Sequence, residues 1–482
     1  MERRAFLGTS LLTLFAGGIL TACGGNDSDS NNSTQSGTSS IESAPTTGVT
    51  LYFQNQRTDG YAVYIAFGGA GTLAATIVGT GESIVKGKPY ALAALVSGVN
   101  VTQYDSGRIF VSLENSLTTP TEANGFAPNF DNPNLDDFGT RWDKFEITIA
   151  PPDGNTGVGT SGGANLTSQD FFGIRLDIVT SGGSLAPAHL TWRADAAKVF
   201  QDLGALSGFK VITKQDATGA IATAPHGVTV PSVSDPVIRV VSPGSVSPID
   251  PSAGTTCYPS VQDYIAYLSG TNPPGPLIAT TIQGNNGQPT NGGAFQTYDL
   301  TATIINAPTT IRGVAIDAGS LVLDGTMDAA TGAGPQAYTV VVPASNLTDY
   351  GVYLANPGFS MIPANTNPNQ VVEHIVADYF AALNFGIAGS TEANPNDPGS
   401  TLGNSPSWTW YGNPPSGAAQ SKLPIADAFS AAQPSNSHRY NPYASYLAGV
   451  TDSYGFAYND RLEAPLASLS DGTTLTLTIM PD

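Results

Sequence analysis

In the stretch Trp142-Asp143-Lys144-Phe145-Glu146-Ile147-Thr148-Ile149, apolar and polar side chains alternate from Phe145 onward. Successive side chains of a β-strand point to opposite faces of the sheet. Phe145 and Ile147 therefore share one face with Ile149, and Glu146 shares the other with Thr148. The pattern predicts a half-buried strand with a carboxylate on its polar face. Taken alone, the pattern also fits a strand on which Glu146 faces solvent and has no further role.

The same alternation recurs on both sides of this stretch. Short β-like runs lie between Leu51 and Ile178, separated by clusters of Gly, Asn, Asp and Pro, and they include LYFQNQ, YAVYIAF, GRIFVSLENSL and GIRLDIVTS. Near the other end, GTTLTLTIMPD alternates in the same way. Many short strands joined by turns predict an antiparallel sandwich or barrel.

Helical spacing of apolar residues appears in three stretches, His189–Leu203, Val261–Leu268 and Gln370–Gly386. Gly386 is a predicted C-cap, because glycine readily adopts the left-handed conformation that ends many helices. Strand-like runs lie between the second and third stretches, namely LTATIINA, GVAIDAGSLVLDG and AYTVVVPA. This mixture predicts an α+β domain.

These patterns divide the chain into five predicted parts. They are a signal peptide (residues 1–22), a flexible Gly/Ser/Asn tether (23–48), a β domain (49–244), a mixed α+β domain (245–435) and a C-terminal segment that returns to the β domain (436–482).

The N-terminus predicts export and lipid attachment. Arg3 and Arg4 precede an apolar run, Phe6–Ala22, which matches a twin-arginine signal. The run ends in Leu20-Thr21-Ala22-Cys23, which resembles a bacterial lipobox whose cysteine is acylated. The prediction is a membrane-anchored lipoprotein on the periplasmic or extracellular side of a bacterial envelope, in contact with the membrane through its lipid alone. The alternative is an ordinary cleaved signal peptide with a chance cysteine.

Charge and motif content exclude several functions. The 482 residues include 38 acidic and 18 basic side chains, for a net charge of -20, so nucleic acid is not an expected partner. The sequence predicts no metal site, because the four histidines lie far apart and show no paired ligand spacing. Weak calcium binding at Asp131, Asp136 and Asp137 remains an alternative. Gly69-Ala70-Gly71-Thr72-Leu73-Ala74 fits a dinucleotide fingerprint but lacks the crossover helix that must follow.

A second acidic residue of interest follows the Trp142–Ile149 stretch. It lies in Thr167-Ser168-Gln169-Asp170-Phe171-Phe172-Gly173-Ile174. In strand register Asp170 shares a face with Phe172 and Ile174, so its carboxylate is either at the first exposed position or in a site that perturbs it.

These two segments resemble the family 64 β-1,3-glucanases, which have a thaumatin-like fold. That family carries Glu in a W-x-E-F-T-Y-N-like strand and Asp in a T-Q-V-D-M-F-like strand, and Glu146, Thr148, Thr167 and Asp170 fall at those places. Further ordered matches are Gly107–Ser112, Ser242–Gly244, the helix around Ala377–Asn384, Asn441–Ala444 and Tyr454–Asp460.

The resemblance implies a fold and an activity. The fold would be a mainly β, thaumatin-like antiparallel sandwich or barrel, with an additional mixed α+β domain forming a groove. The activity would be inverting hydrolysis of β-1,3-glucan, with Glu146 as general acid and Asp170 as general base. An inverting pair is separated by roughly 6.5–9.5 Å. Thr148 and Thr167 would position sugar hydroxyl groups and Trp142 would stack on a sugar ring; the alternatives are plain strand-forming threonines and a tryptophan packed in the core. No metal or organic cofactor is required.

Several positions depart from the family pattern. Ile149 and Ala150 replace its Tyr and Asn, Pro151–Leu166 contains no aromatic residue, and Asn459 replaces the first Asp of the terminal pair. Because aromatic and amide groups hold sugar rings, these losses favour the alternative of a non-catalytic, cell-surface β-glucan-binding lipoprotein. A structural envelope lipoprotein without a sugar ligand is the third alternative.

Overall fold

The structure is a computed structural model of the chain. It describes residues 47–118, 128, 130, 137–151, 159–206, 210–213, 237–242, 259–269, 280–289, 295–327, 336–353, 358–362, 370–411, 423–432, 439–456, 458–459 and 465–482. The predicted signal peptide and Cys23 lie outside these residues.

The described elements fall into three successive groups. The first contains β1 (Val49–Asn55), β2 (Val63–Gly69), β3 (Leu73–Ile77), β4 (Pro89–Ala91), β5 (Val99–Leu113), β6 (Trp142–Ala150), β7 (Ser161–Thr167), β8 (Phe171–Phe172), β9 (Leu176–Gly182), β10 (His189–Leu190), α1 (Ala196–Ala205), β11 (Lys210–Thr213) and β12 (Val237–Val241). The second contains α2 (Val261–Leu268), β13 (Thr280–Pro289), β14 (Phe295–Ile304), β15 (Thr309–Ile311), β16 (Val314–Ile316), β17 (Leu321–Met327), β18 (Gln336–Val342), α3 (Asp349–Tyr353), β19 (Ser360–Ile362), α4 (Gln370–Phe385), α5 (Trp408–Tyr411) and α6 (Ile425–Ala431). The third contains α7 (Pro442–Val450), β20 (Ser453–Tyr454), β21 (Ala467–Ser470) and β22 (Thr473–Ile479).

Twelve described strands of the first and third groups form one large, barrel-like sheet, so the predicted mainly β class is confirmed, and β11, β12 and β8 of the first group form a separate three-stranded sheet in that order. Its main path runs β10-β9-β22-β1-β5-β6-β7-β20, with β2, β3, β4 and β21 on branches. Most pairs are antiparallel, as predicted, but β1 with β22 and β7 with β20 are parallel. The inward-facing residues of these strands form one apolar core, which includes Val49, Phe67 and Phe145.

Strand β5 bends at Gly107. Its first half pairs with β1 and β3, and its second half pairs with β2 and β6. The β5–β6 register shifts between Tyr104 and Gly107, where one extra residue makes a bulge. A Cβ atom added at Gly107 would lie 2.4 Å from the ring of Tyr104. That ring is 0% exposed, and its hydroxyl lies 2.7 Å from the carbonyl oxygen of Gly68.

Five strands of the second group form a separate, antiparallel sheet in the order β13-β14-β17-β18-β19, and β15 pairs with β16 alone among the described strands. Residues of α4 pack with this sheet in a second apolar core, which includes Leu323, Val340 and Phe380. The predicted helices Val261–Leu268 and Gln370–Gly386 are confirmed, and Gly386 follows α4 with a φ of 77°.

Helix α7 connects the two cores. Tyr443 and Leu447 pack in the barrel core, whereas Ala444 and Ala448 pack in the core of the second sheet. Asn441 caps the helix by accepting from the backbone N–H of Ala444 at 3.0 Å. The two parts of the molecule therefore share one packed helix.

The helix predicted over His189–Leu203 begins later than expected. His189 and Leu190 pair with β9 instead, and the helix begins at Ala196. Asp195 sets this boundary because its side chain accepts from the backbone N–H of Lys198 at 2.7 Å. Sheet pairing therefore overrides helical periodicity at the start of this stretch.

No helix within the described ranges is long and apolar enough to cross a membrane.

Gly107→Ala is expected to lower the free energy of unfolding by about 1–3 kcal/mol, because the new methyl group overlaps a ring that cannot move away. Urea denaturation measures the change. Gly449→Ala is the matched control, since Gly449 is exposed on α7 with open space around it. Equal stability of the Gly107 variant and the wild type would contradict this account of the bend.

Candidate functional site

Glu146 lies at the centre of a row of polar residues. Strand β6 lies between β5 and β7, and the register places Glu146 opposite Arg108 on one side and Asn165 on the other. Phe145 and Ile147, which flank Glu146 in sequence, are 0% exposed in the barrel core. Glu146 therefore points to the outer face of the sheet.

Arg108 holds one oxygen of the Glu146 carboxylate. Its Nε is 3.2 Å and its Nη2 is 3.1 Å from the same oxygen, Oε1. The side chain of Glu146 is 15% exposed. Because both contacts fall on Oε1, the second oxygen, Oε2, is left for another partner.

Asp170 is held by a different cation. The Nζ of Lys144 is 2.8 Å from Oδ2 of Asp170, and the Asp170 side chain is 42% exposed. Lys144 itself is only 6% exposed, with its ammonium 4.9 Å from the ring centroid of Phe171. Lys144 and Glu146 are two residues apart on β6 and share its outer face. Both carboxylates consequently lie on one side of the sheet. We call Arg108, Lys144, Glu146, Asn165 and Asp170 the carboxylate face.

Asp143 ties the Asp170 segment to β6. Its Oδ2 accepts from the backbone N–H groups of Gly173 at 2.8 Å and Ile174 at 3.0 Å, and its Oδ1 accepts from Lys144 N at 2.7 Å. On the other side, the N–H of Ser242 donates to the carbonyl oxygen of Asp170 at 2.8 Å. These bonds fix the backbone that presents the second carboxylate.

The C-terminal segment closes the edge of β7 next to this site. Strand β20 pairs with Leu166 and Thr167 of β7. The hydroxyl of Tyr443 donates to the carbonyl oxygen of Ser168, and Ser453 Oγ lies 2.8 Å from Ser168 Oγ. The residues just before Asp170 are therefore anchored by α7 and β20.

The predicted substrate-binding residues are all largely covered. Thr148 is on the outer face with Glu146 and is 2% exposed, and Thr167 is 6% exposed. Their roles in binding stay predictions. Trp142, the candidate for stacking on a sugar ring, is 1% exposed and packs edge-on in an apolar cluster, with its ring centroid 5.7 Å from that of Phe110 and 4.7 Å from that of Phe171.

Three residues of the carboxylate face were not predicted as site residues. Arg108 lies in the Gly107–Ser112 motif, which gave one signal. Lys144 lies two positions before Glu146, so the alternation of a strand predicts that both share one face. Asn165 carried no such signal, because its place opposite Glu146 depends on the register between β6 and β7.

The described residues contain no group of three His, Cys, Asp or Glu side chains that could hold a metal ion. Asp137, from the calcium alternative, accepts from the backbone N–H of Thr118 at 2.7 Å. Asp131 and Asp136 lie outside the described residues.

The fold of this chain has solved counterparts. The structure is similar to family 64 β-1,3-glucanases. A β-1,3-glucanase domain from Clostridium beijerinckii has 12% identity and a TM-score of 0.49, over 89% of this chain and 97% of that one. A laminaripentaose-producing β-1,3-glucanase from Paenibacillus barengoltzii has 16% identity and a TM-score of 0.44, over 91% of this chain and 78% of that one.

The Paenibacillus barengoltzii enzyme is also known in complex with laminarihexaose, and that structure has 14% identity and a TM-score of 0.44, over 90% of this chain and 76% of that one. At these identities the similarity concerns the fold alone. No protein-family profile matches the sequence, and no curated protein matches it.

The pH dependence of stability tests the Asp143 anchor. Burial raises the pKa of Asp143 from 3.8 to about 6, although three N–H donors and Lys144 act in the opposite direction. Because the folded value is above the unfolded one, this group's contribution to stability is fully present below about pH 4. It is lost as pH rises through 6, by about 3 kcal/mol.

The measurement is the free energy of unfolding between pH 4 and pH 7 for the wild type and Asp143→Asn, whose amide does not ionise. Wild type is expected to lose more stability than the variant over this range. Parallel curves for the two proteins would show that Asp143 does not titrate in this way.

Proposed function

We propose that the protein is a glycoside hydrolase that cleaves β-1,3-glucan by an inverting mechanism. The observation that carries the proposal is the presence of two carboxylates on one outer face, each paired with its own cation. Glycosidic cleavage requires one protonated acid at the leaving oxygen and one carboxylate for the anomeric carbon. Glu146 and Asp170 supply this pair without a metal or an organic cofactor.

Glu146 is the general acid in this proposal. Arg108 occupies Oε1, so the proton resides on Oε2. When the glycosidic oxygen takes this proton, the bond from that oxygen to the anomeric carbon breaks, and its electron pair stays with the leaving oxygen. Glu146 becomes a carboxylate, whose negative charge Arg108 stabilises at 3.1 Å.

Asp170 is the general base. Its greater exposure, 42% against 15% for Glu146, gives water access to its carboxylate. Lys144 binds Oδ2, which orients the carboxylate. Asp170 takes one proton from the attacking water, and the resulting hydroxide equivalent forms the new bond to the anomeric carbon on the face opposite the leaving group.

A neutral β-1,3-glucan suits the charge of the chain. With a net charge of -20, the protein repels polyanions but does not oppose an uncharged polysaccharide. The laminarihexaose bound to the similar enzyme from Paenibacillus barengoltzii supports the same class of ligand.

A second candidate is a β-glucan-binding protein without catalysis. It is favoured by the ion pairs that both carboxylates make, because each pair occupies one carboxylate oxygen. In this reading the carboxylate face accepts sugar hydroxyl groups but transfers no proton.

Release of reducing sugar from laminarin distinguishes the two. Wild type is expected to cleave laminarin, and Glu146→Gln and Asp170→Asn are each expected to lower kcat by at least about 100-fold, since each removes a proton-transfer group. Glu82→Gln is the control, because Glu82 is 59% exposed and pairs with Lys88. NMR of the anomeric proton shows whether the first product has the inverted configuration that the proposed mechanism requires. Retention of laminarin on an affinity gel without cleavage would favour the binding protein.

We further propose that the chain is exported and anchored through a lipid on Cys23. The support is the order of the twin arginines, the apolar run and the Leu20–Cys23 lipobox-like sequence. The anchor would hold the hydrolase at the cell surface, where it would encounter its polysaccharide substrate.

Labelling of a bacterial host with radioactive palmitate tests the anchor. The wild-type protein is expected to carry label and to partition into detergent, and Cys23→Ala is expected to lose both properties because the acylated thiol is absent. Arg3→Lys with Arg4→Lys serves as the export control. A labelled Cys23→Ala protein, or an unlabelled wild type, would exclude lipidation at this residue.

A further inference from the structure

Asn165 is a buried amide on the carboxylate face. Its side chain is 1% exposed, and its carbonyl oxygen, Oδ1, has no hydrogen-bond partner among the described residues. The flanking residues Ala164 and Leu166 point into the barrel core, so Asn165 points to the outer face with Glu146.

An unpaired acceptor in this position is unfavourable. Burying a polar group without a hydrogen bond destabilises a protein, and most buried polar groups in folded chains do have a partner. A state of the site that supplies a donor would remove this penalty. Oδ1 can only accept, so the missing partner must carry a proton.

The residue directly across the strand pair is Glu146. Side chains opposite each other in an antiparallel pair have Cβ atoms about 5 Å apart, within reach of a carboxyl group and an amide. As a carboxylate, Glu146 offers no proton. As a carboxylic acid it offers one, and this proton belongs on Oε2 because Arg108 donates to Oε1.

We propose that Asn165 is a positioning residue that accepts, through Oδ1, a hydrogen bond from the protonated Oε2 of Glu146. This inference rests on the proposed hydrolase function and deepens it. Arg108 and Asn165 lie on opposite sides of Glu146 and assign its oxygens different roles. Asn165 holds the proton in place until the glycosidic oxygen accepts it, and Arg108 stabilises the carboxylate that remains.

The test compares two substrates that differ in their need for an acid. The sugar leaving group of laminarihexaose departs only when its oxygen is protonated. The leaving group of a 2,4-dinitrophenyl β-laminarioligosaccharide departs as a stable anion. A residue that acts through the proton of Glu146 affects only the first substrate, whereas a residue that binds sugar or maintains the fold affects both.

The variants are Asn165→Ala, Asn165→Leu and the control Asn100→Ala. Asn100 lies in the first half of β5, and its Oδ1 is also buried without a described partner. We expect both Asn165 variants to lower kcat on laminarihexaose about tenfold, the worth of one hydrogen bond, with KM unchanged. Their kcat on the dinitrophenyl substrate is expected to stay within about twofold of wild type, and Asn100→Ala is expected to match wild type on both.

Thermal unfolding provides a second measurement. Asn165→Leu removes an unpaired polar atom at similar volume, so its midpoint is expected to equal or exceed that of wild type. Equal losses on the two substrates, or no loss on laminarihexaose, would overturn the role of Asn165 and leave the hydrolase intact. Failure of wild type to cleave either substrate would overturn the hydrolase function and this role with it.

Discussion

The constraint on which the site depends is the register of β6 between β5 and β7. The backbone pairs of Glu146 with Arg108 and with Asn165 place a cation on one side of the carboxylate and an amide on the other. A slip of one residue would exchange the two faces, sending Glu146 into the barrel core and Phe145 to the outer face. The apolar face of the strand therefore holds the polar face in position, because Phe145 and Ile147 are completely buried.

The second carboxylate depends on loop anchoring rather than on strand pairing. Asp170 lies just before the short strand β8, and its backbone is fixed by Ser242 and by the Asp143 bonds to Gly173 and Ile174. Asp143 and Lys144 are consecutive residues of β6 that point to opposite faces. Asp143 anchors the backbone after Asp170, and Lys144 binds the Asp170 carboxylate. Strand β6 therefore positions Asp170 as well as Glu146.

Each carboxylate meets a cation of a type that suits its proposed task. The guanidinium of Arg108 directs both of its contacts to one oxygen of Glu146, which leaves the other oxygen for a proton. The ammonium of Lys144 is a compact charge that lies over an aromatic ring and holds Asp170 from one side. The same ion pairs are compatible with a protein that binds glucan without cleaving it. For catalysis, each paired carboxylate must also reach a geometry with bound substrate in which it can transfer a proton.

Elements whose pattern is local could be predicted from the amino-acid sequence. Alternation predicted β6 and its two faces, helical spacing with a terminal glycine predicted α4, and the ordered motifs indicated the mainly β fold. Features that depend on distant partners were set by tertiary structure. It moved the start of the predicted helix to Ala196, because His189 and Leu190 pair with β9, and it buried Trp142 beneath Phe110 and Phe171. It also brought Asn165 beside Glu146, because a cross-strand neighbour is set by register and loop length, which no single segment of the chain encodes.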